Sequence, residues 1–408
     1  MNCRHCHMPL TNVFLDLGFA PPSNAYLTER DLHAPETWFP LKLYVCENCW
    51  LVQTEDYASA DALFSKDYAY FSSTSTTWLE HARGYAEEMR QRLGLTQDSF
   101  VIEVASNDGY LLKNFVAAGI PCLGIEPTDS TAAAAEALGI PVLRQFFGEG
   151  LGRELAGQTR QADLILGNNV YAHVPDINDF TAGLKAALKP GGTITLEFPH
   201  LLQLIQACQF DTAYHEHYSY LSLYTVQRIF AKAGLRVRDV EQLPTHGGSL
   251  RVYGCHDNDP RPTLPAVSAL IASEEAAGLR IVATYRCFQA RAEKIKDDLV
   301  SFLIEQKRAG KKVAAYGAAA KGNTLLNFAG VRPDLLPYVC DAAPAKQGKY
   351  MPGSHIPIRP PSALAASSPD YVLILPWNIA AEVRQQNAAL AAQGAQFVTA
   401  VPYLAILN

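Results

Sequence analysis

Four cysteines open the chain as two Cys-x-x-Cys turns, Cys3 with Cys6 and Cys46 with Cys49. Each turn aims two thiolates at one point, and two turns supply the four ligands of a tetrahedral structural zinc site. The gap between the pairs is about twice the roughly 15–20 residues of an ordinary zinc ribbon, so an inserted excursion must bring them together. A redox dithiol and unpaired surface thiols are the competing readings, but a redox pair follows a strand, and no strand fits ahead of Cys3. His5, His7 and His33 are nearby substitutes that a complete set of four thiolates makes unnecessary.

A second group lies in Phe100-Val-Ile-Glu-Val-Ala-Ser-Asn-Asp-Gly109, an apolar strand ending in small polar residues, followed by Glu126 at the close of the next strand. In a doubly wound sheet, ligands bind beyond the carboxyl ends of the strands, and an acid after the second strand can bridge two ribose hydroxyls. Of the glycines in a G-x-G-x-x-G turn only Gly109 is present, so a dinucleotide pyrophosphate would lack its cradle. Two successive strand-end acids are the general pattern of S-adenosylmethionine-dependent methyltransferases. On these residues alone, another nucleotide-binding or a non-binding α/β domain stays open. A third group, His215-Glu-His217, puts two imidazoles on one face if extended. No third ligand at zinc spacing follows it.

These groups need elements to position them. Residues 1–60 are rich in Pro and aromatics with little helical periodicity, and a helix is expected over Thr76–Gly94. Strands are then expected at Phe100–Ala105, Pro121–Ile125, Ala162–Leu166 and Thr193–Phe198. They alternate with helices from Gly109, over Thr131–Leu138 and over Ile177–Leu188, the last stopped by Lys189-Pro-Gly-Gly192. That rhythm indicates a parallel doubly wound sheet. A strand at Leu250–Gly254 is expected to close it, and a long charged helix over Ala266–Gln306 to lead into a second, smaller α/β unit. In that unit Lys312–Gly317, Tyr338–Cys340 and Tyr371–Leu375 read as strands, and Gly322–Phe328 and Ala380–Ala392 as helices. The expected domains are residues 1–70, 71–258 and 259–408.

Composition fits several domains in 408 residues: 49% hydrophobic and 18% charged residues can bury large cores. With 34 Lys+Arg against 40 Asp+Glu the net charge is -6, which argues against nucleic acid as the main partner. No stretch approaches the roughly 20 apolar residues of a membrane span, and MNCRHCHMPL lacks the apolar region of a signal peptide. A reducing, cytoplasmic setting is therefore expected, in which paired cysteines suggest metal before disulfide. Cys122, Cys208, Cys255, Cys287 and Cys340 read as ordinary buried core residues.

Three motifs, in order, carry a family resemblance over essentially the whole chain. Glu103-Val-Ala-Ser-Asn-Asp-Gly-Tyr-Leu-Leu112 resembles the E-[IV]-A-S-N-D-G-x-L-L signature of SAM-dependent sugar C-methyltransferases. The cysteine pairs, with Leu17-Gly-Phe-Ala-Pro-Pro-Ser-Asn-Ala25 between them, resemble that family's zinc domain. Ala315–Leu326 and Asp341–Gly353 resemble its C-terminal domain, although Ala319 stands where Ser is common. The resemblance implies an α/β fold with an N-terminal zinc-binding region, a central class I Rossmann-like methyltransferase domain and a C-terminal α/β domain. It implies S-adenosyl-L-methionine as cofactor, a zinc that is structural and remote from the chemistry, and a nucleotide-linked ketosugar as substrate. Glu103, Ser106, Asn107, Asp108, Gly109, Glu126 and Asn168 would then line the cofactor site.

C-methylation next to a ketone needs a base, a donor for the developing oxyanion, and an in-line methyl group. Ala213–Tyr220 resembles the family's Tyr-x-Glu-His catalytic motif. Tyr214 would position the sugar or its keto oxygen, Glu216 would orient groups, and His217 would be the base; a metal pair or a packing cluster are the alternatives. His173, in Asn168-Asn-Val-Tyr-Ala-His173, is the second candidate base, with a helix-capping Asn and a satisfied His as the plain alternative. Lys66–Ser73 matches the stretch contributing an active-site tyrosine, in the register of Tyr68, with Tyr70 the alternative. Gly317, Lys321 and Gly322 join strand to helix, where a helix N-terminus and a lysine suit a diphosphate; Lys346 and Lys349 would add charge, and solvated lysines on a tight turn are the rival reading.

The expected reaction is methylation at C3 of an NDP-4-keto-6-deoxysugar. C5 attack, O- or N-methylation of the same sugar class, and a non-enzymatic zinc-containing sugar-nucleotide module are the alternatives. A monomer is the expected state, because three domains can cover one another.

Overall fold

The computed structural model describes residues 1–57, 71–74 and 76–407. Among these, the strands form three sheets. The N-terminal one contains β1 (Asn12–Ala20), β2 (Phe39–Val45) and β3 (Val52–Thr54). Its fourth strand, β9 (Ser219–Tyr220), comes from far along the chain and pairs antiparallel with β3.

The second sheet begins with β4 (Val101–Val104), β5 (Cys122–Ile125) and β6 (Val142–Leu143). It continues with β7 (Ala162–Asn168), β8 (Leu188–Pro199), β10 (Leu235–Leu243) and β11 (Ser249–His256). The order is β10-β11-β8-β7-β4-β5-β6. Pairs from β6 across to β8 are parallel, and β11 is antiparallel to both neighbours. β4 and β5 are buried at every position, the pattern of strands covered on both faces. The expected closing strand β11 is interior; β10, which the sequence reading missed, forms the edge. The chain runs outward from β4 to β6 and then restarts at β7 beside β4. The topological switch point, where ligands bind in such sheets, therefore lies above β4 and β7.

The third sheet comprises β12 (Val313–Tyr316), β13 (Val339–Cys340), β14 (Ile358–Arg359), β15 (Tyr371–Ile374), β16 (Gln396–Thr399) and β17 (Ala405–Leu407). Its order, β14-β13-β12-β15-β16-β17, repeats the logic, with a second switch point above β12 and β15. The expected helix over Ala266–Gln306 is three helices, Pro265–Ala276, Val282–Arg286 and Phe288–Arg308. It is more than a connector. Phe14 of β1 packs on Tyr285 and Phe288 at ring distances of 5.4 and 4.6 Å. One continuous core joins the N-terminal sheet, residues 201–220 and the C-terminal sheet. Cys122, Cys208, Cys255 and Cys340 are buried as expected, whereas Cys287, between two of these helices, is exposed.

Candidate active site

The four Sγ atoms of Cys3, Cys6, Cys46 and Cys49 lie within 4.8 Å of one another. Cys3 is 3.4 Å from Cys49, and Cys6 is 3.5 Å from Cys46. Sulfurs around a tetrahedral zinc stand roughly 3.8 Å apart, so the set fits that ion. Hydrogen bonding to Cys46 holds the Cys3 thiol up at about 12, and hydrogen bonding to Cys3 holds Cys49 above its ordinary value. A cation at the centre is what lets all four ionise together. His5 is not a ligand here; its Nδ1 lies 2.8 Å from Asn178 Oδ1.

The cysteine turns connect to the segment that carries His217. The strand leaving Cys49 is β3, and Thr54 on it donates to the His217 carbonyl at 3.2 Å. Thr54 N–H also donates to the Tyr218 carbonyl at 3.2 Å. The cysteine turns thus fix the strand on which the His217 segment hangs.

At the first switch point the turn after β4 is strained. Ala105 and Asn107 have φ of 57° and 49°, a region that non-glycine residues rarely adopt. Glu126 holds the turn in place: Oε2 accepts from Asn107 N–H at 2.9 Å, and Oε1 from Thr128 N–H at 3.0 Å. Asp108 Oδ2 accepts from Ser73 N–H at 3.1 Å, and Asn107 Oδ1 from Ser72 N–H at 2.9 Å. Several polar atoms here are buried with no partner among the described residues: both Glu103 oxygens, Ser106 Oγ, Asp108 Oδ1 and both amide atoms of Asn168. Burial, with the nearby Asp108 and Glu126 charges, pushes the Glu103 carboxyl well above its ordinary range. Buried polar groups are almost always satisfied, so such a cluster marks a place for a polar ligand.

The segment after the Phe210–Thr212 turn faces this point. His217 is buried and its ring lies 4.0 Å from Tyr214 and 4.4 Å from His173, centroid to centroid. Burial, then the charges of His173, His246 and Lys321, push His217 well below its ordinary value, so the ring is neutral. His173 is pushed down to about 4 by burial, and its Nδ1 lies 2.8 Å from the Glu216 carbonyl. Glu216, pushed up to about 7 by burial, accepts from Asn24 Nδ2 at 2.7 Å. His215 turns away: its Nε2 lies 3.2 Å from the Pro40 carbonyl and its ring packs on Phe39. The two imidazoles of His215-Glu-His217 therefore do not form a metal pair. Tyr68 and Tyr70 lie outside the described residues.

The second switch point revises two expectations. Gly317 and Gly322 were expected to open backbone to a ligand, but neighbouring side chains fill that space. A Cβ on Gly317, which has φ 91°, would overlap Pro376, and one on Gly322 would lie 2.8 Å from Leu375. The Gly317 N–H is already given to the Cys340 carbonyl at 2.7 Å. Lys346 is engaged too, with Nζ 2.8 Å from the Ala318 carbonyl and 3.6 Å from Asp341. Lys321 instead reaches into the space between the sheets. Its ammonium bonds Asn378 Oδ1 at 2.6 Å, lies 4.5 Å from the Trp377 ring, and acts electrostatically on Asp211, His217 and His246. Burial lowers the Lys321 pKa and pushes buried Asp211 up to about 6. Asp211 Oδ2 accepts from Trp377 Nε1 at 2.8 Å, tying the Phe210–Thr212 turn to the turn after β15. Asp211, His246 and Trp377 escaped the sequence reading, and Asn169 lay in the Asn168–His173 run without being singled out; a histidine beside Gly247-Gly248 was the one signal for His246. A surface cavity of about 330 Å³ beside Lys307 and Tyr338 shares none of these residues.

C-methyltransferase NovU of Streptomyces niveus is 34% identical over 401 residues, covering 98% of this chain and 95% of its own. The chain belongs to the C-methyltransferase family. Family models agree in chain order: a zinc binding domain over residues 3–64, a methyltransferase domain over 78–240 and a C-methyltransferase C-terminal domain over 244–402. Solved structures align only in part. Magnesium protoporphyrin IX methyltransferase of Synechocystis PCC 6803 gives a TM-score of 0.35 at 12% identity, over 43% of this chain and 82% of that one. An S-adenosylmethionine-dependent methyltransferase of Clostridium acetobutylicum gives 0.34 at 9%, over 43% and 91%. The family assignment rests on the relative and the family models. This C-methyltransferase takes S-adenosylmethionine as methyl donor and zinc as structural metal. The unpaired polar atoms above β4 and β7 suit the hydroxyl and amino-acid groups of that cofactor. No helix among the described residues is long and apolar enough to cross a membrane.

Proposed function

We propose that this C-methyltransferase methylates C3 of an NDP-4-keto-6-deoxysugar through an enolate. The observation that carries the reading is His217: a buried, neutral imidazole between Tyr214 and His173, set between the two switch points. Neutral imidazole is the form that can accept a proton. The carbon beside the ketone gives its proton to His217, and the charge moves onto the ketone oxygen. Bound above β4 and β7, the cofactor supplies an electrophilic methyl group for the resulting carbon nucleophile. Glu103, Ser106, Asn107, Asp108, Gly109 and Asn168 hold that cofactor, and Glu126 takes the ribose hydroxyls. Tyr214, Glu216 and His173 frame the sugar. Tyr68 adds a hydroxyl from outside the described residues.

Lys321 is the charge for the anionic end of the substrate, to which Lys349 would add. Opposite charge on the substrate would also relieve the Lys321 field on His217 and raise its basicity as the substrate docks. The protein acts as a soluble cytoplasmic monomer with domains at residues 1–70, 71–258 and 259–408. Mass spectrometry with S-adenosylmethionine and dTDP-, CDP- and GDP-4-keto-6-deoxysugars tests the reading. A gain of one methyl on carbon is expected, and His217→Asn should abolish deuterium exchange at the α-carbon while S-adenosylhomocysteine still binds. Full exchange in that variant would remove His217 as the base.

A further inference from the structure

The turn before β11 holds a histidine where glycine is the default. His246 adopts φ 54° and ψ 20° within Pro244-Thr-His-Gly-Gly248. A left-handed non-glycine residue is strained and persists only where its surroundings impose it. Here they do. Gln209 Nε2 donates to the Gly247 carbonyl at 2.7 Å, and Ser249 Oγ to the Thr245 carbonyl at 2.9 Å. His200 N–H donates to the Gly248 carbonyl at 3.0 Å, and the Trp377 ring covers Gly247.

Facing this turn is a second left-handed residue, Asn169, with φ 55°. Its Nδ2 lies 3.0 Å from His246 Nε2. An amide nitrogen only donates, so Nε2 accepts and the single ring proton sits on Nδ1. Among the described residues no hydrogen bond takes up that Nδ1–H. Burial, helped by the Lys321 charge, pushes His246 down to about 4, so the ring is neutral near pH 7. The short run from Asn168 to His173 then spaces two imidazoles. Asn169 at its start holds His246, and His173 at its end packs against His217. Both rings feel the Lys321 ammonium, and His246 acts electrostatically on His217, so they share one space between the sheets.

We propose that His246, locked by Asn169 as a neutral Nδ1–H donor, hydrogen-bonds the substrate's ketone oxygen and stabilises the enolate that His217 generates. This rests on the ketosugar reading above. The C–H proton goes to His217 and its electron pair moves onto the ketone oxygen. His246 donates a hydrogen bond there without giving up its proton. The carbon then attacks the methyl group, and the broken S–CH3 bond leaves its pair on sulfur. A neutral imidazole suits this task because it polarises a carbonyl without protonating the enolate.

The test uses the full chain, S-adenosylhomocysteine and dTDP-4-keto-6-deoxyglucose with its CDP and GDP counterparts. NMR follows deuterium wash-in beside the ketone; calorimetry and melting report cofactor binding and folding. Removing one oxyanion donor lowers rates roughly 100–1,000-fold, so His246→Ala should slow exchange by that factor with S-adenosylhomocysteine affinity unchanged. His246→Asn tolerates the left-handed turn and keeps an amide donor, and should recover part of the rate. Asn169→Gly keeps the backbone and removes the lock on the ring, and should slow exchange roughly 10-fold. Wild-type exchange in both His246→Ala and Asn169→Gly overturns the proposal. So does a loss of exchange in His246→Asn and Asn169→Gly that is matched by loss of folding and cofactor binding, because the role would then be structural. If the wild-type protein exchanges with none of the three sugars, the ketosugar reading itself fails, and this assignment with it.

Discussion

Two strand-to-helix turns of this C-methyltransferase look alike in sequence and differ in what fills them. Around Ala105–Gly109, after β4, both Glu103 oxygens, Ser106 Oγ, Asp108 Oδ1 and the Asn168 amide are buried with no partner among the described residues. Gly317–Gly322, after β12, is packed by Pro376 and Leu375, and its Ala318 carbonyl is taken by Tyr26 Oη at 2.5 Å and Lys346 Nζ at 2.8 Å. Unpaired buried polar groups are costly unless a ligand completes them, whereas tight apolar contact needs nothing more. Small residues at a switch point therefore have two meanings. In the first turn they accompany a strained backbone beside polar atoms that have no partner among the described residues; in the second they admit neighbouring side chains, and Lys321 projects beyond them.

Substitutions should separate the turns. Glu126→Ala removes the acceptor that pins Asn107 and Thr128 and the proposed ribose partner together; S-adenosylhomocysteine affinity by calorimetry should fall at least roughly 100-fold. A fall under about threefold would strip the first turn of its cofactor role. Lys321→Met should raise KM for the sugar nucleotide roughly 10–100-fold and leave S-adenosylhomocysteine binding alone; an unchanged KM would make the second turn purely structural. Gly317→Ala puts a Cβ into Pro376 at a left-handed φ. It should lower stability by about 2 kcal/mol in urea melts, with cofactor affinity intact. A stable variant that loses sugar affinity would reverse the packing reading.

The smallest effect concerns the segment between the turns. Glu216 is pushed up to about 7 in the fold by burial, above its unfolded value near 4.5. The folded state then binds more protons between these values, so this group's contribution to stability declines as pH rises through that window. Asp211, at about 6, acts in the same sense. His173 and His246, pushed down to about 4, act oppositely between about 4 and their unfolded value near 6.5. Glu216→Gln removes one term only. Its melting temperature relative to wild type should climb by a few degrees from pH 5 to 8; a flat difference would mean that Glu216 keeps an ordinary pKa.

Local chemistry made much of this legible. The spacing of Cys3, Cys6, Cys46 and Cys49 states a ligand set, because each Cys-x-x-Cys turn converges by itself. The β4 strand and its polar end announce a ligand edge, because periodicity and turn chemistry act over a few residues. His217 stood out through the resemblance of its segment, not through its neighbours. What the sequence did not reveal depends on contacts across hundreds of residues. Nothing local pairs β3 with β9, so the route from the cysteine turns to His217 was invisible. Gly317 reads as an open turn until Pro376 arrives from the turn after β15.

By itself, then, the sequence determined the zinc ligands, the alternation of strands and helices, and the family to which the histidine segment belongs. Those depend on covalent spacing and side-chain type. Only the tertiary structure decided which groups meet between the sheets: His217 with His173, His246 with Asn169, Lys321 with Asn378 and Trp377. Burial there strips water from several ionisable side chains at once, and their protonation follows from that shared desolvation, which no linear motif encodes.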